Sequence, residues 1–275
     1  MKLIGIGDSV VDYYKHQGVM YPGGNALNVA VFARRNGASG AAYLGIIGED
    51  EPGEHILASL AKEQVDAARV RVVKGITGVA TVSVNEEGDR VFLALNKAVR
   101  VQSLLKLNLG DADLEYINGF DLIHTSINSD LEPELGKLRH KPISFDFSTA
   151  NRWNREYLHL VCPHLTYAFF SGSGWTRTEI EDLCGFVHKL GVKVVGVTRG
   201  SQAAVFSEQG KWYEQIPVPA KVVDTMGAGD SFIGSFLYHY HESQDMTSAI
   251  EKATAFATSV CGYYGAFGHG KEIEL

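Results

Sequence analysis

The chain has 275 residues, 45% of them hydrophobic, with 30 glycines against seven prolines. That composition supplies a large core, and the glycines mark tight turns and close backbone approaches in place of disorder. A formal net charge of −7 argues against nucleic acid, whose phosphates demand a basic face, and no run approaches the roughly 18 uninterrupted apolar residues of a membrane span.

Apolar runs alternate with helical patterns from the start. Residues 2–7 read as a buried strand, and the single Lys2 ahead of Leu3-Ile4-Gly5-Ile6-Gly7 lacks the long apolar stretch of a signal peptide. A soluble cytoplasmic protein is expected. The piece from Val11 to Tyr21 is too short for a crossover helix. A helix over 25–37, a strand over 41–47 and a helix over 52–64 follow. Then the pattern breaks: Val70 to Val73, Val79 to Val84 and Val91 to Leu95 are short β-branched runs, with Asn85-Glu86-Glu87-Gly88-Asp89 between the last two. That is a hairpin signature. Strands over 121–125, 142–147, 165–170 and 192–198 alternate with helices near 132–139, 153–161 and 176–190. A strand pair (203–207, 211–214), a glycine-rich turn and two helices (230–241, 246–262) complete the chain.

Such alternation predicts an α/β fold, a parallel sheet covered by helices on both faces, with ligands at the carboxyl ends of the strands. Segments 11–22 and 75–99 read as a small accessory sheet, a lid or dimer surface, and an ordinary edge hairpin fits the spacing equally well. No repeat, linker or low-complexity stretch divides residues 1–275, so one domain is expected.

The chemistry concentrates in Asp224-Thr225-Met226-Gly227-Ala228-Gly229-Asp230-Ser231-Phe232. Val222 and Val223 predict a strand ending at Asp224. Phe232, Ile233, Phe236, Leu237 and Tyr240 follow at helical spacing, so a helix should begin near Asp230. The bare turn lets the N–H groups of Gly227, Ala228 and Gly229 approach a ligand, and a helix N-terminus favours an anion. A carboxylate beside such a phosphate cradle suits phosphoryl transfer: Asp230 accepts the proton of an attacking hydroxyl while the donors stabilise the transferring group. The helix dipole should keep Asp230 ionised near neutrality. The plainer reading is an Asp N-cap after a glycine turn.

Two segments carry a resemblance. Asp224 to Asp230 is similar to the C-terminal signature, DTxGAGD, of the ribokinase-like (PfkB) carbohydrate kinases. Gly23-Gly24-Asn25-Ala26-Leu27-Asn28-Val29-Ala30 resembles their N-terminal one. The resemblance covers essentially the whole chain. It implies a ribokinase-like fold with a central, mostly parallel sheet and a small β lid, ATP and Mg²⁺ as cofactors, and a small sugar-like substrate. By position it implies that Asp12, Gly23, Gly24 and Asn28 bind the substrate. It also implies that Thr198, Gly200 and Thr225 lie along the nucleotide phosphates, and that Ala257 and Val260 line an adenine pocket. A monovalent cation such as K⁺ is implied near Asp224 and the Gly262 to Gly268 turn, and a homodimer through the lid sheet. Plain core packing fits Ala257 and Val260 equally.

Departures from the family pattern are informative. Relatives carry Asn-x-x-Glu where this chain has Phe170-Ser171-Gly172-Ser173-Gly174-Trp175, with no acid until Glu179; Mg²⁺ is then left to waters and substrate phosphates. Arg199 replaces the usual leucine of the nucleotide loop, and Asp146-Phe147-Ser148 replaces Asp-Pro-Asn. Together with the Tyr-Gly-Ala-Phe-Gly-His-Gly ending, these features resemble the fructoselysine 6-kinase subgroup. In that reading Arg90, Lys97 and Arg100 supply positive charge to a carboxylate-bearing substrate, the alternative being solvated surface charge. A kinase for another ketose or nucleoside, and a catalytically silent sugar or nucleotide sensor, remain open.

Other signals point away from metal or nucleophile chemistry. Cys162, Cys184 and Cys261 stand outside any CxxC and read as small buried hydrophobes in a reducing compartment. His239 and His241 face different ways on a helix. His124 ends a strand and reads as a satisfied core histidine. No Walker P-loop or GxSxG elbow occurs.

Overall fold

Strand β1 (Lys2–Gly7) is buried from Leu3 onward, as a central strand of a parallel sheet must be. The structure, a computed structural model, describes residues 1–84 and 90–273, with side chains at all of these except 84 and 90–92. The expected turn at Asn85–Asp89 and the side chain of Arg90 lie outside the described residues.

After β1 come β2 (Val10–Tyr14), β3 (Val19–Gly23), α1 (Asn25–Arg35), β4 (Gly40–Gly48), α2 (Glu51–Lys62) and β5 (Arg71–Val73). The hairpin strands β6 (Val79–Val84) and β7 (Arg90–Leu95) precede α3 (Val101–Leu104), α4 (Asp111–Asn118), β8 (Leu122–Ser126), α5 (Leu135–Leu138) and β9 (Ile143–Thr149). Next stand α6 (Arg155–Val161), β10 (Tyr167–Ser171), α7 (Arg177–Lys189), β11 (Val194–Arg199), β12 (Gln202–Glu208) and β13 (Lys211–Gln215). Helices α8 (Ala228–Ser243) and α9 (Met246–Val260) and strand β14 (Lys271–Glu272) end the chain.

Among the described residues these strands make two sheets. The larger has nine, in the order β13-β12-β11-β10-β9-β8-β1-β4-β5. It is parallel from β11 to β5, with β12 and β13 antiparallel at one edge. The smaller has five, ordered β14-β3-β2-β6-β7. Apolar clusters cover both faces of the large sheet, one including residues of α1, α8 and α9, the other residues of α5, α6 and α7. Local sequence explains the helix starts: Asp50 caps α2 through the Gly53 N–H, and Thr176 with Glu179 makes a capping box on α7.

Helix α1 lies between β1 and α8. Its contact with α8 depends on Gly234, where a Cβ would stand 2.9 Å from the Val29 carbonyl oxygen. This close approach brings Asn25 and Asn28 against the start of α8. Two expectations need correction, and three elements are additional to those expected. Val222 and Val223 are not in a strand; the N–H groups of Val223 and Asp224 bond the Cys261 carbonyl instead of a neighbouring strand. Helix α8 begins at Ala228, two residues earlier than expected, because left-handed Gly227 turns the chain. Helices α3 and α4 and strand β14 are the additional elements, and β14 pairs with β3 in the smaller sheet. Among the described residues no helix is long and apolar enough to cross a membrane.

Candidate active site

A cleft of about 740 Å³ opens along the carboxyl ends of β1, β8, β9 and β10, with the smaller sheet on its other side. The two glycine-bearing segments singled out in the sequence meet there, about 200 residues apart in the chain.

Asp230 stands in the first turn of α8 and lines the cleft. Its Oδ1 accepts from Asn25 Nδ2 at 2.7 Å and its Oδ2 from Asn28 Nδ2 at 2.6 Å. Asn25 also donates to Asp146 Oδ2 at 2.8 Å, so one amide group spans two carboxylates. Behind it, His124 Nε2 lies 2.9 Å from Asn25 Oδ1, and His124 Nδ1 lies 2.9 Å from Ser144 Oγ. With the Asn25 amide group spent on carboxylates, its oxygen must accept, which assigns the proton to His124 Nε2 and leaves Nδ1 to accept from Ser144. Burial holds His124 down at about 3, so the ring is neutral. The chain Ser144–His124–Asn25–Asp230 fixes the carboxylate from behind.

Asp8 begins the same construction. Its carboxylate accepts from the N–H groups of Asn25 and Ala26 and from the hydroxyls of Ser126 and Ser129. It therefore caps α1, whose own N-cap residue, Gly24, has no side chain to do so. Asp146 faces the cleft from β9 and accepts from the Ser148 N–H. Its pKa is pushed up to about 7, by burial first and then by the charges of Asp230 and Asp8.

The glycine corner is held from below. Asp224 is fully buried, and its carboxylate accepts from the Met226 and Gly265 N–H groups and from the Tyr14 hydroxyl. Gly227 sits at φ 72°, and a Cβ there would stand 2.6 Å from that of Ala266. Gly227 and Gly229 line the cleft, and among the described residues their N–H groups carry no hydrogen-bond partner. Ala228 differs: its N–H bonds the Thr225 carbonyl at 3.2 Å and the residue lies off the cleft. The donors this corner can offer are thus Gly227 and Gly229.

Of the other expected residues, Asp12, Gly24, Asn28 and Thr225 line the cleft. Gly23 packs on Asp12, whose Oδ2 lies 2.4 Å from where a Gly23 Cβ would stand. Thr198, Gly200, Ala257 and Val260 lie off it, and Val260 is buried in the core at 2% exposure. Arg199 donates to the Trp175 carbonyl. Sequence reading left Asp8 and Asn25 without roles. The signal for Asn25 was its place two residues ahead of Leu27-Asn28, at the start of a helix whose N-terminus meets Asp230.

Cation sites were tested on the same geometry. Among the described residues no three acidic, histidine or cysteine side chains are grouped to hold a metal. Glu179, the first acid after Ser171, is spent capping α7.

A family model described as pfkB family carbohydrate kinase matches residues 1–269. The chain is 48% identical to fructosamine kinase FrlD of Bacillus subtilis, across 100% of this chain and 96% of the relative. It is 31% identical to fructoselysine 6-kinase of Escherichia coli, over 95% and 98% of the two chains. A structure of Arabidopsis thaliana ribokinase complexed with ribose and ATP superposes with a TM-score of 0.79 at 21% identity, over 98% of this chain and 95% of that one.

Proposed function

The chain belongs to the pfkB family of carbohydrate kinases, and we propose that it transfers the γ-phosphoryl group of ATP to a hydroxyl of a ketose joined through nitrogen to an amino acid, with Asp230 as the base. The supporting observation is the placement of Asp230. Its carboxylate faces the cleft beside the bare Gly227–Gly229 corner, and both its oxygens are oriented by asparagines of α1.

In this reading Asp12, Gly24 and Asn28 orient the sugar, with one hydroxyl toward Asp230. The Gly227 and Gly229 N–H groups, at the positive end of α8, meet the charge that develops on the transferring group. Asp230 takes the hydroxyl proton, its two oxygens oriented by the amide groups of Asn25 and Asn28. Thr198, Gly200 and Thr225 would carry the nucleotide, with Ala257 at the adenine. Mg²⁺ would be held by the nucleotide phosphates and water, since Ser171 to Gly174 carry no acid and Glu179 caps α7, and would supply charge neutralisation at the phosphates. K⁺ would lie near Asp224 and the Gly262 to Gly268 turn, where the Asp224 carboxylate also accepts from three protein donors. The smaller sheet serves as the lid, with Leu93 and Leu95 lining the cleft, and its edge strand β7 as the surface for a second copy.

A coupled ADP-release assay over a substrate panel tests the proposal. Strong turnover of glycated amino acids with little on fructose, ribose or adenosine is expected. Strong turnover of ribose or adenosine with none on glycated amino acids rejects it.

A further inference from the structure

The end of the cleft away from the glycine corner has the opposite charge. Lys97, Arg100 and Arg152 line it, against the carboxylate of Asp130. Arg100 is 6% exposed, yet of its guanidinium only Nε is tied, to Ser103 Oγ at 2.8 Å. Among the described residues its two terminal nitrogens have no hydrogen-bond partner, and the residue lines the cleft. Arg152 donates from Nη2 to Asn128 Oδ1 at 2.6 Å, which braces one edge of its fork and leaves Nη1 without a partner among the described residues.

The backbone beneath is built to hold this arrangement. Asn96 bonds the Val79 N–H and the Thr77 carbonyl, fixing the loop that carries Lys97 to the base of β6. The Arg100 N–H bonds the Asn96 carbonyl, and Val101 N–H bonds Ile76. Neither terminal nitrogen is among the described buried atoms that lack a partner, so both meet solvent in the cleft and a ligand can take the place of water there. Burial lowers the Arg100 pKa while the nearby charges of Asp8 and Asp130 raise it.

Resting on the kinase reading above, we infer that Arg100 and Arg152, with Lys97 at the rim, form a carboxylate subsite that reads the amino-acid half of the substrate. A guanidinium fork matches a carboxylate with two parallel hydrogen bonds. Asp8 and Asp130 offset part of the positive field, which suits a monoanion better than a doubly charged phosphate. The acidic end then serves the polyol and the reacting hydroxyl, and the basic end selects what is attached to it.

Two substrate pairs test this on the wild-type enzyme: fructosylglycine against 1-deoxy-1-(methylamino)fructose, and fructoselysine against the corresponding fructosyl adduct of cadaverine. In whichever linkage the enzyme accepts, loss of the carboxylate should lower kcat/KM by about 10- to 100-fold. In Arg152→Leu and Arg100→Met that preference should shrink to less than about threefold, with Arg100→Lys recovering only part of it. Because Arg152 is exposed, its variant reports even if Arg100→Met folds poorly. Equal turnover within both pairs by the wild type overturns the subsite and leaves the kinase reading intact. So does a loss in the variants that falls on the KM for ATP. Turnover of a plain sugar with none of the four adducts overturns both, and is told apart by that pattern.

Discussion

The two ends of the cleft are held differently. At the reacting end each polar group rests on another: Asp230 on Asn25 and Asn28, Asn25 on His124, His124 on Ser144, and Asp224 on three donors. At the far end Lys97 is exposed and, among the described residues, Arg152 has one side-chain bond and Arg100 is tied only through Nε. Pre-organisation belongs where charge moves in the transition state, since groups already in place cost nothing to reorient. Looser groups belong where the substrate differs from that of a relative. In the proposed reading one half of the site carries the reaction and the other its selectivity.

Substitutions at the rigid end should hurt whatever the substrate. The largest effect is expected from Gly227→Ala, which forces a side chain into a left-handed position against Ala266. Its kcat/KM for ATP should fall by about 100-fold or more, in the range for a lost backbone donor. An unchanged value would separate the corner from the phosphate. Next comes Asn28→Ala, which frees one Asp230 oxygen; kcat should fall by about 10- to 100-fold through misorientation while the KM for ATP holds. A loss confined to one substrate would place Asn28 with the selective end instead.

Stability effects are smaller. Tyr14→Phe removes one donor from buried Asp224 and should cost about 1–3 kcal/mol, read by denaturant titration. Asp146 gives a pH signature. Its folded pKa of about 7 lies above its unfolded value, so the folded state binds the extra proton and wild-type stability falls as pH rises from about 4 to about 7. In Asp146→Asn that component is gone, and the Tm difference should move in the variant's favour across this window and stay level above it. Parallel Tm curves would show that Asp146 titrates normally.

Much of this was legible from the sequence because it is local. The glycines of 227 and 229, the acid at 230 and the helical spacing of Phe232, Ile233 and Phe236 lie within ten residues. The βα alternation likewise reports its own burial. What escaped is long-range. Asp8 follows directly on β1, and only the folded chain shows it capping α1. His124 read as a satisfied core histidine, which it is, but its partner is the asparagine that orients Asp230. Val222 and Val223 have strand composition, yet their backbone partner is the end of α9, which no local pattern encodes. Val260 is similarly a core residue by position, since one face of α9 must pack on α8.

The most direct test of Asp230 as proton acceptor combines two readings on one preparation of Asp230→Asn: ATP affinity by titration calorimetry and phosphoryl transfer by single-turnover kinetics. The account predicts ATP affinity within about twofold of wild type and transfer slower by at least about 100-fold. Transfer at the wild-type rate would contradict it.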